Sequence, residues 1–248
     1  MLRICLLIVL LFGWLNAASA ITVGAEQPDK YLPLLEGQRV GLVVNHTSVV
    51  ETTHLVDFLL SKKVNVTQVM APEHGFRGNL GAGEKVRDGT DPKTGLPLLS
   101  LYGSVKKPTA AMLENIDVLI FDIQDVGARF YTYISTLHYV LEAAAQYQKA
   151  VIVLDRPNPN GAFVDGPVRK EGFVSFVGVD PLPVLHGMSV AELAQMMKGE
   201  QWIKHADKLS LHVVPVADYQ RDMRYSLPIA PSPNLPNDIA IRLYPSLV

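Results

Sequence analysis

Val64-Asn65-Val66-Thr67-Gln68-Val69-Met70-Ala71-Pro72-Glu73-His74-Gly75 is the stretch on which the reading of the chain turns. Residues 64–70 read as a buried strand, Pro72 stops it, and Gly75 gives the chain a place to turn. Between the two sit a carboxylate and an imidazole, side by side. Packing alone does not ask for Glu-His at the end of an apolar strand, and a carboxylate there is costly to bury without a task or a partner. In an open α/β sheet, ligands bind outside the carboxyl ends of the strands. Glu73 is therefore expected at the floor of a substrate cleft, with other strand ends as its walls.

Working outward, apolar runs of strand length alternate with helical stretches. Residues 39–44 read as a first strand, and 53–61 as a helix with Leu55, Phe58 and Leu59 on one face. A long loop over 75–95 carries Arg77, Gly78, Gly81, Gly83, Glu84, Lys85, Arg87, Asp88 and Asp91. Loops of that length in compact domains are commonly functional. Segment 96–102 is a third apolar run, 109–115 a short helix, 118–123 a strand, 132–149 the strongest helix and 151–154 a strand. Ser189 with Glu192 three residues on is a capping box opening another helix, and 209–216 is the last strand. The strands are nearly continuous in Val, Leu and Ile, as strands covered on both faces must be. The expected fold is α/β: a doubly wound, mostly parallel sheet with helices on both faces.

The 248 residues are 48% hydrophobic and 19% charged, with net charge -2, so no basic face for nucleic acid is implied. Arg3, the apolar run 4–15 and Ala18-Ser19-Ala20 read as a cleavable secretory signal peptide over residues 1–20, with an uncleaved anchor as the alternative; cleavage predicts a periplasmic or secreted protein with no membrane span. The one cysteine, Cys5, lies inside that peptide, which leaves the mature chain without disulfide, thiolate ligand or cysteine nucleophile. Residues 21–226 form the main domain. From Leu227 the chain is proline-rich (Pro228, Pro231, Pro233, Pro236) with no closing helix or strand expected, and 227–248 reads as the start of an incomplete C-terminal domain.

Polar groups collect at the strand ends: Asn45-His46-Thr47-Ser48, Glu73-His74, Asp122 with Gln124 and Asp125, and Asp155-Arg156 with Asn158. Four such clusters on one sheet edge carry more than any one of them. Bland readings stand beside them: Asn45-His46-Thr47 as a helix cap, Asp155 with Arg156 as a strand-end ion pair, Gly127 and Arg129 as turn chemistry, Tyr131 and Tyr133 as core. The G-x-S-x-G elbow, the dinucleotide and P-loop glycine patterns and H-E-x-x-H are all absent. His46, His74 and His186 with Glu73 or Asp122 lack a diagnostic metal spacing, and no cofactor or metal is expected. Carboxylate acid/base chemistry remains. Glycoside hydrolysis needs two carboxyl groups. Glu73 in a partly apolar pocket suits the acid role, and Asp122, Asp125 and Asp165 are candidates for the second.

Six ordered motifs then point to a family: Asn45-His46-Thr47; Pro72-Glu73-His74-Gly75-Phe76; residues 121–133, from Phe121-Asp122 to Tyr131-Thr132-Tyr133; Asp155-Arg156-Pro157-Asn158-Pro159; His186-Gly187-Met188-Ser189; and Pro231-Ser232-Pro233-Asn234. Together they resemble the exo-β-N-acetylmuramidases of glycoside hydrolase family 171, long catalogued as a domain of unknown function. The resemblance implies a Rossmann-like catalytic domain, a smaller C-terminal domain, and release of N-acetylmuramic acid from the non-reducing end of peptidoglycan fragments. It places the family's proposed catalytic glutamate on Glu73. On that reading His74 orients Glu73, while Asn45, Arg77, Gln124, Arg129, Tyr131, Tyr133, Asp155, Asn158, His186 and Asn234 line the sugar site. Arg129 or Arg77 would take the lactyl carboxylate. Val164-Asp165-Gly166-Pro167 carries aspartate where the resemblance leads one to expect glutamate. The alternatives are a muropeptide-binding module without turnover, and a metal-dependent amidase or deacetylase.

Overall fold

The computed structural model describes residues 21–77 and 87–247. The leader expected over residues 1–20, and Gly78, Gly81, Gly83, Glu84 and Lys85 of the long loop, lie outside them. Among the described residues no helix is long and apolar enough to cross a membrane.

Six parallel strands make the sheet: β1 (Val40–Val44), β2 (Val66–Ala71), β3 (Pro97–Ser100), β4 (Val118–Asp122), β5 (Ala150–Leu154) and β6 (Ser210–Val214). Their order is β3-β2-β1-β4-β5-β6, with Gly89–Thr90 added antiparallel outside β3. This is the doubly wound Rossmann order, in which the winding reverses between β1 and β4.

Side-chain alternation splits the core in two. In register across the sheet, Val213, Val153, Phe121, Val43, Met70 and Leu99 form one row. That row faces α2 (Tyr133–Tyr147) and α3 (Val190–Gly199). Val40, Leu42, Val44, Ile120, Ile152 and Leu154 point the other way, onto α1 (Leu55–Ser61) and the 3-10 turns between Gly24 and Leu35. β1 and β4 are buried along their whole length, which is why they read as unbroken apolar runs. The capping box at α3 is formed: Ser189 Oγ accepts from the Glu192 amide, and the Glu192 carboxylate accepts from the Ser189 amide.

The end of the chain differs from its sequence reading. Residues 237–246 form a helix, α4 (Asp238–Leu243), and a 3-10 turn, Tyr244–Ser246. The signal overlooked was Asn237, whose side chain caps α4 by accepting from the Ala240 amide at 3.0 Å. Leu235 and Ile241 are buried in the same core as α2, so this segment packs on the α/β unit.

Candidate active site

β2 delivers Glu73 through a tight turn. His74 and Gly75 both adopt left-handed backbone angles, with φ of 69° and 74°, and the Gly75 amide donates back to the Pro72 carbonyl at 3.1 Å. A non-glycine residue in that region carries backbone strain, of the sort that gathers at functional sites. Two tyrosines hold Glu73. The Tyr102 hydroxyl, just beyond β3, donates to its Oε1 at 2.9 Å, and the Tyr133 hydroxyl at the start of α2 donates to its carbonyl at 3.3 Å. Burial, and then the Glu73 carboxylate, push the Tyr102 pKa up, so its hydroxyl stays a donor.

Glu73 and His74 open onto a hollow of about 120 Å³ that Tyr131, Tyr133, Asn234 and Tyr244 also line. Its aromatic wall is built edge to face: Tyr131 to Tyr133 at 4.9 Å and Tyr131 to Tyr244 at 5.9 Å between ring centres. The far side comes from the proline-rich segment, which folds back over the strand ends. The Tyr131 hydroxyl donates to the Pro231 carbonyl at 2.8 Å, and His46 Nε2 lies 2.9 Å from the Ala230 carbonyl.

The three candidate partner carboxylates have separate fates. Asp122 is fully buried and spent on Arg156, which grips it through Nε at 2.5 Å and Nη2 at 2.9 Å. Asp165 is exposed on a two-stranded ribbon with Leu185–His186, where its Oδ1 accepts from the Gly166 amide. None of the three, Asp125 included, lines the hollow. Asp125 lies in the tyrosine neighbourhood: burial raises the pKa of Tyr131, Tyr133 and Tyr244, the charge of Asp125 adds to all three, and Glu73 adds to the last two. Its Oδ2 accepts from the Gly127 amide at 2.7 Å, while its buried Oδ1 has no partner. His186 is also buried, with Nε2 3.6 Å from Asp125 Oδ2 and unsatisfied. Its Nδ1 accepts from the Met188 amide, so Nε2 carries the proton.

The other expected sugar-lining residues are mostly framework. Asn45 Oδ1 accepts from the Thr47 amide and hydroxyl, and its Nδ2 lies beside the Tyr133 hydroxyl, close enough to ease ionisation there but short of hydrogen-bond geometry. Gln124 Nε2 ties the carbonyls of Asp125 and Pro157 together. Asn158 donates to the Met188 carbonyl and accepts from the Asn160 amide. Gly127, at φ 79°, packs so tightly on Asn158 that a Cβ would collide with its amide. Asp155 pairs with the Ser189 hydroxyl and the Ala191 amide, not with the Arg156 guanidinium as adjacency suggested. Burial pushes its pKa up to about 6. Arg77 is clamped to Asp91, whose pKa it pulls down to about 2, and stacks on Phe76. Arg129 turns away from the hollow, donating to the carbonyls of Pro167 and Leu182. Neither arginine lines the Glu73 hollow. Among the described residues, no three His, Cys, Asp or Glu side chains lie together as a metal site. Sequence reasoning missed Tyr102 and Tyr244, lone tyrosines in segments without a polar cluster to flag them.

Fold and hollow together define a Rossmann-like α/β protein with an acidic, tyrosine-walled crevice at its strand ends. Residues 40–239 match the family described as exo-beta-N-acetylmuramidase NamZ, N-terminal, and the chain belongs to that family. It is 40% identical to the peptidoglycan beta-N-acetylmuramidase NamZ of Bacillus subtilis (strain 168), over 96% of this chain and 62% of that protein. Two crystal structures of DUF1343 family proteins from Bacteroides fragilis NCTC 9343 share the fold. One has TM-score 0.83 and 45% identity over 92% of this chain and 60% of that one; the other has TM-score 0.82 and 40% identity over 90% and 58%. The chain thus spans about three-fifths of the length of these relatives.

Proposed function

We propose that this chain carries the catalytic unit of an exported exo-glycosidase that releases N-acetylmuramic acid from the non-reducing end of peptidoglycan fragments. The observation that carries the reading is Glu73 held by Tyr102 in a tyrosine-walled hollow at the strand ends, with Asp125 buried in the same tyrosine neighbourhood. Glu73 acts as general acid, giving its proton to the glycosidic oxygen as that oxygen's bond to the anomeric carbon breaks; a water oxygen takes its place on that carbon, and the water's spare proton passes to a carboxylate. Tyr102 fixes the carboxyl. Asp125, buried among the tyrosines with one oxygen unpartnered, is the second carboxyl group, and its charge acts from beneath the hollow's lining on the positive charge that builds on the sugar ring. The Gly127 amide holds Asp125 by its Oδ2, and the tyrosine edges and faces form the wall against which the sugar ring lies. The hollow is small for a whole muramoyl residue, so the scissile end enters and the rest lies at its mouth. The family assignment and the relative's name support the substrate class, and the leader-like residues 1–20 support export.

The test is release of chromophore from an aryl β-N-acetylmuraminide. Glu73→Gln should lower kcat by about 10²–10⁴-fold, the usual worth of a positioned acid. Full activity in that variant would remove Glu73 from the mechanism.

A further inference from the structure

The loop that walls the hollow also builds a second cavity. Phe130 lines the first, while Arg129, the residue before it, lines the second. This cavity holds about 390 Å³ and is also lined by Arg169, Lys170, Val168, Phe173 and Val177. The three apolar side chains are 54%, 74% and 54% exposed and gather around one cavity.

The two guanidiniums are held by backbone carbonyls. Arg129 Nη1 donates to Pro167 at 2.8 Å and Leu182 at 2.5 Å, and Arg169 donates to Asp180 through Nε at 3.3 Å and to Lys170 through Nη1 at 2.9 Å. Among the described residues, neither arginine nor Lys170 pairs with a carboxylate. Burial and the charge of Arg169 both pull the Arg129 pKa below its usual value, so the two cations feel one another uncompensated. Among the described residues no acceptor meets Arg129 Nε or Nη2. Gly178 keeps that edge open: a Cβ there would stand 3.6 Å from Arg129 Nε and 3.4 Å from Arg169 Cδ.

The Nε–Nη2 edge of a guanidinium is a two-donor fork that fits a carboxylate side-on. Valine and phenylalanine beside it suit a small alkyl group. We propose that this cavity binds a carboxylate bearing an α-methyl group, the –CH(CH3)–COO⁻ unit, gripped by Arg129 and Arg169. That unit has two sources in the proposed substrate class, the lactyl arm of muramic acid and the terminal D-alanine of an attached peptide. The choice of sources rests on the proposed function; the cationic cavity does not.

Calorimetric titration of the protein with N-acetylmuramic acid, with N-acetyl-D-alanyl-D-alanine, and with N-acetylglucosamine as the carboxylate-free control tests this. At least one acid should bind, and which one identifies the source. Arg169→Gln should weaken that binding by about tenfold, as loss of a hydrogen bond to a charged group does. Gly178→Ala, which keeps both charges and fills the open edge, should do the same, and any binding of the control sugar should be unchanged. If neither acid binds, or both variants bind as the parent does, the inference fails. Aryl muraminide hydrolysis is read in parallel. Variant-sensitive acid binding without hydrolysis would end the glycosidase reading alone, and hydrolysis with variant-insensitive acid binding would end this one alone.

Discussion

Asp122 and Asp125 stand three residues apart at the end of β4 in opposite surroundings. Asp122 neutralises Arg156 in a site closed to water. Asp122→Asn leaves a buried guanidinium without its counter-charge, which should cost about 3–5 kcal/mol of stability, seen as a lower denaturation midpoint. Asp125→Asn removes a charge whose Oδ1 no protein group satisfies. Its stability should change by less than ~1 kcal/mol, while aryl muraminide turnover falls about 10²-fold or more. A variant at 125 that turns over normally would take that residue out of the chemistry. The sequence offers both aspartates as equals, because their difference lies in Arg156, 34 positions away on the neighbouring strand end. Its adjacency to Asp155 pointed to the wrong partner. Glu73 was legible because its oddity is local, a carboxylate closing an apolar strand; the outward turn of Arg129 was not, because it depends on carbonyls of residues 167 and 182.

The start of α3 couples a carboxylate to a helix cap. The Ser189 hydroxyl that caps the helix also donates to Asp155 at 2.8 Å. With its pKa raised by burial to about 6 against an ordinary 3.8, folded Asp155 binds a proton more tightly than the unfolded chain does. Its contribution to stability is therefore full below about pH 4 and declines as pH rises to about 6, by ~3 kcal/mol for a two-unit shift. Thermal melts from pH 4 to 7 should show the Asp155→Asn variant gaining on the parent by up to that amount; parallel curves would contradict the assignment. Elements of this kind were readable wherever periodicity or a capping box marked them. α4 was not, since six residues are too few for a periodic signal and the prolines before it suggested an open tail.

The sheet joins two cores into one folding unit. Phe121 and Ile120, neighbours on β4, face opposite cores and are 1% and 0% exposed. Phe121→Ala should cost about 3–5 kcal/mol and Ile120→Ala about 2–5 kcal/mol, each lowering one shared calorimetric transition. Two separated transitions in either variant would show that the faces melt independently. The parallel, doubly wound class followed from the alternation of apolar runs and helices; the strand order, with its reversal between β1 and β4, needed the pairings themselves. The first described residues are bolted to the far side of this sheet: the Gly24 amide donates to the Asp155 carbonyl at 2.7 Å, and Thr22 and Ala217 exchange backbone bonds at 3.3 and 2.9 Å. A Cβ at Gly24 would overlap the backbone of Asp155 and Val214. A leader removed after residue 20 would leave Ile21 alone ahead of that anchorage. An affinity tag fused directly there would press on β5 and β6, so recombinant versions should carry it on a flexible spacer of several residues.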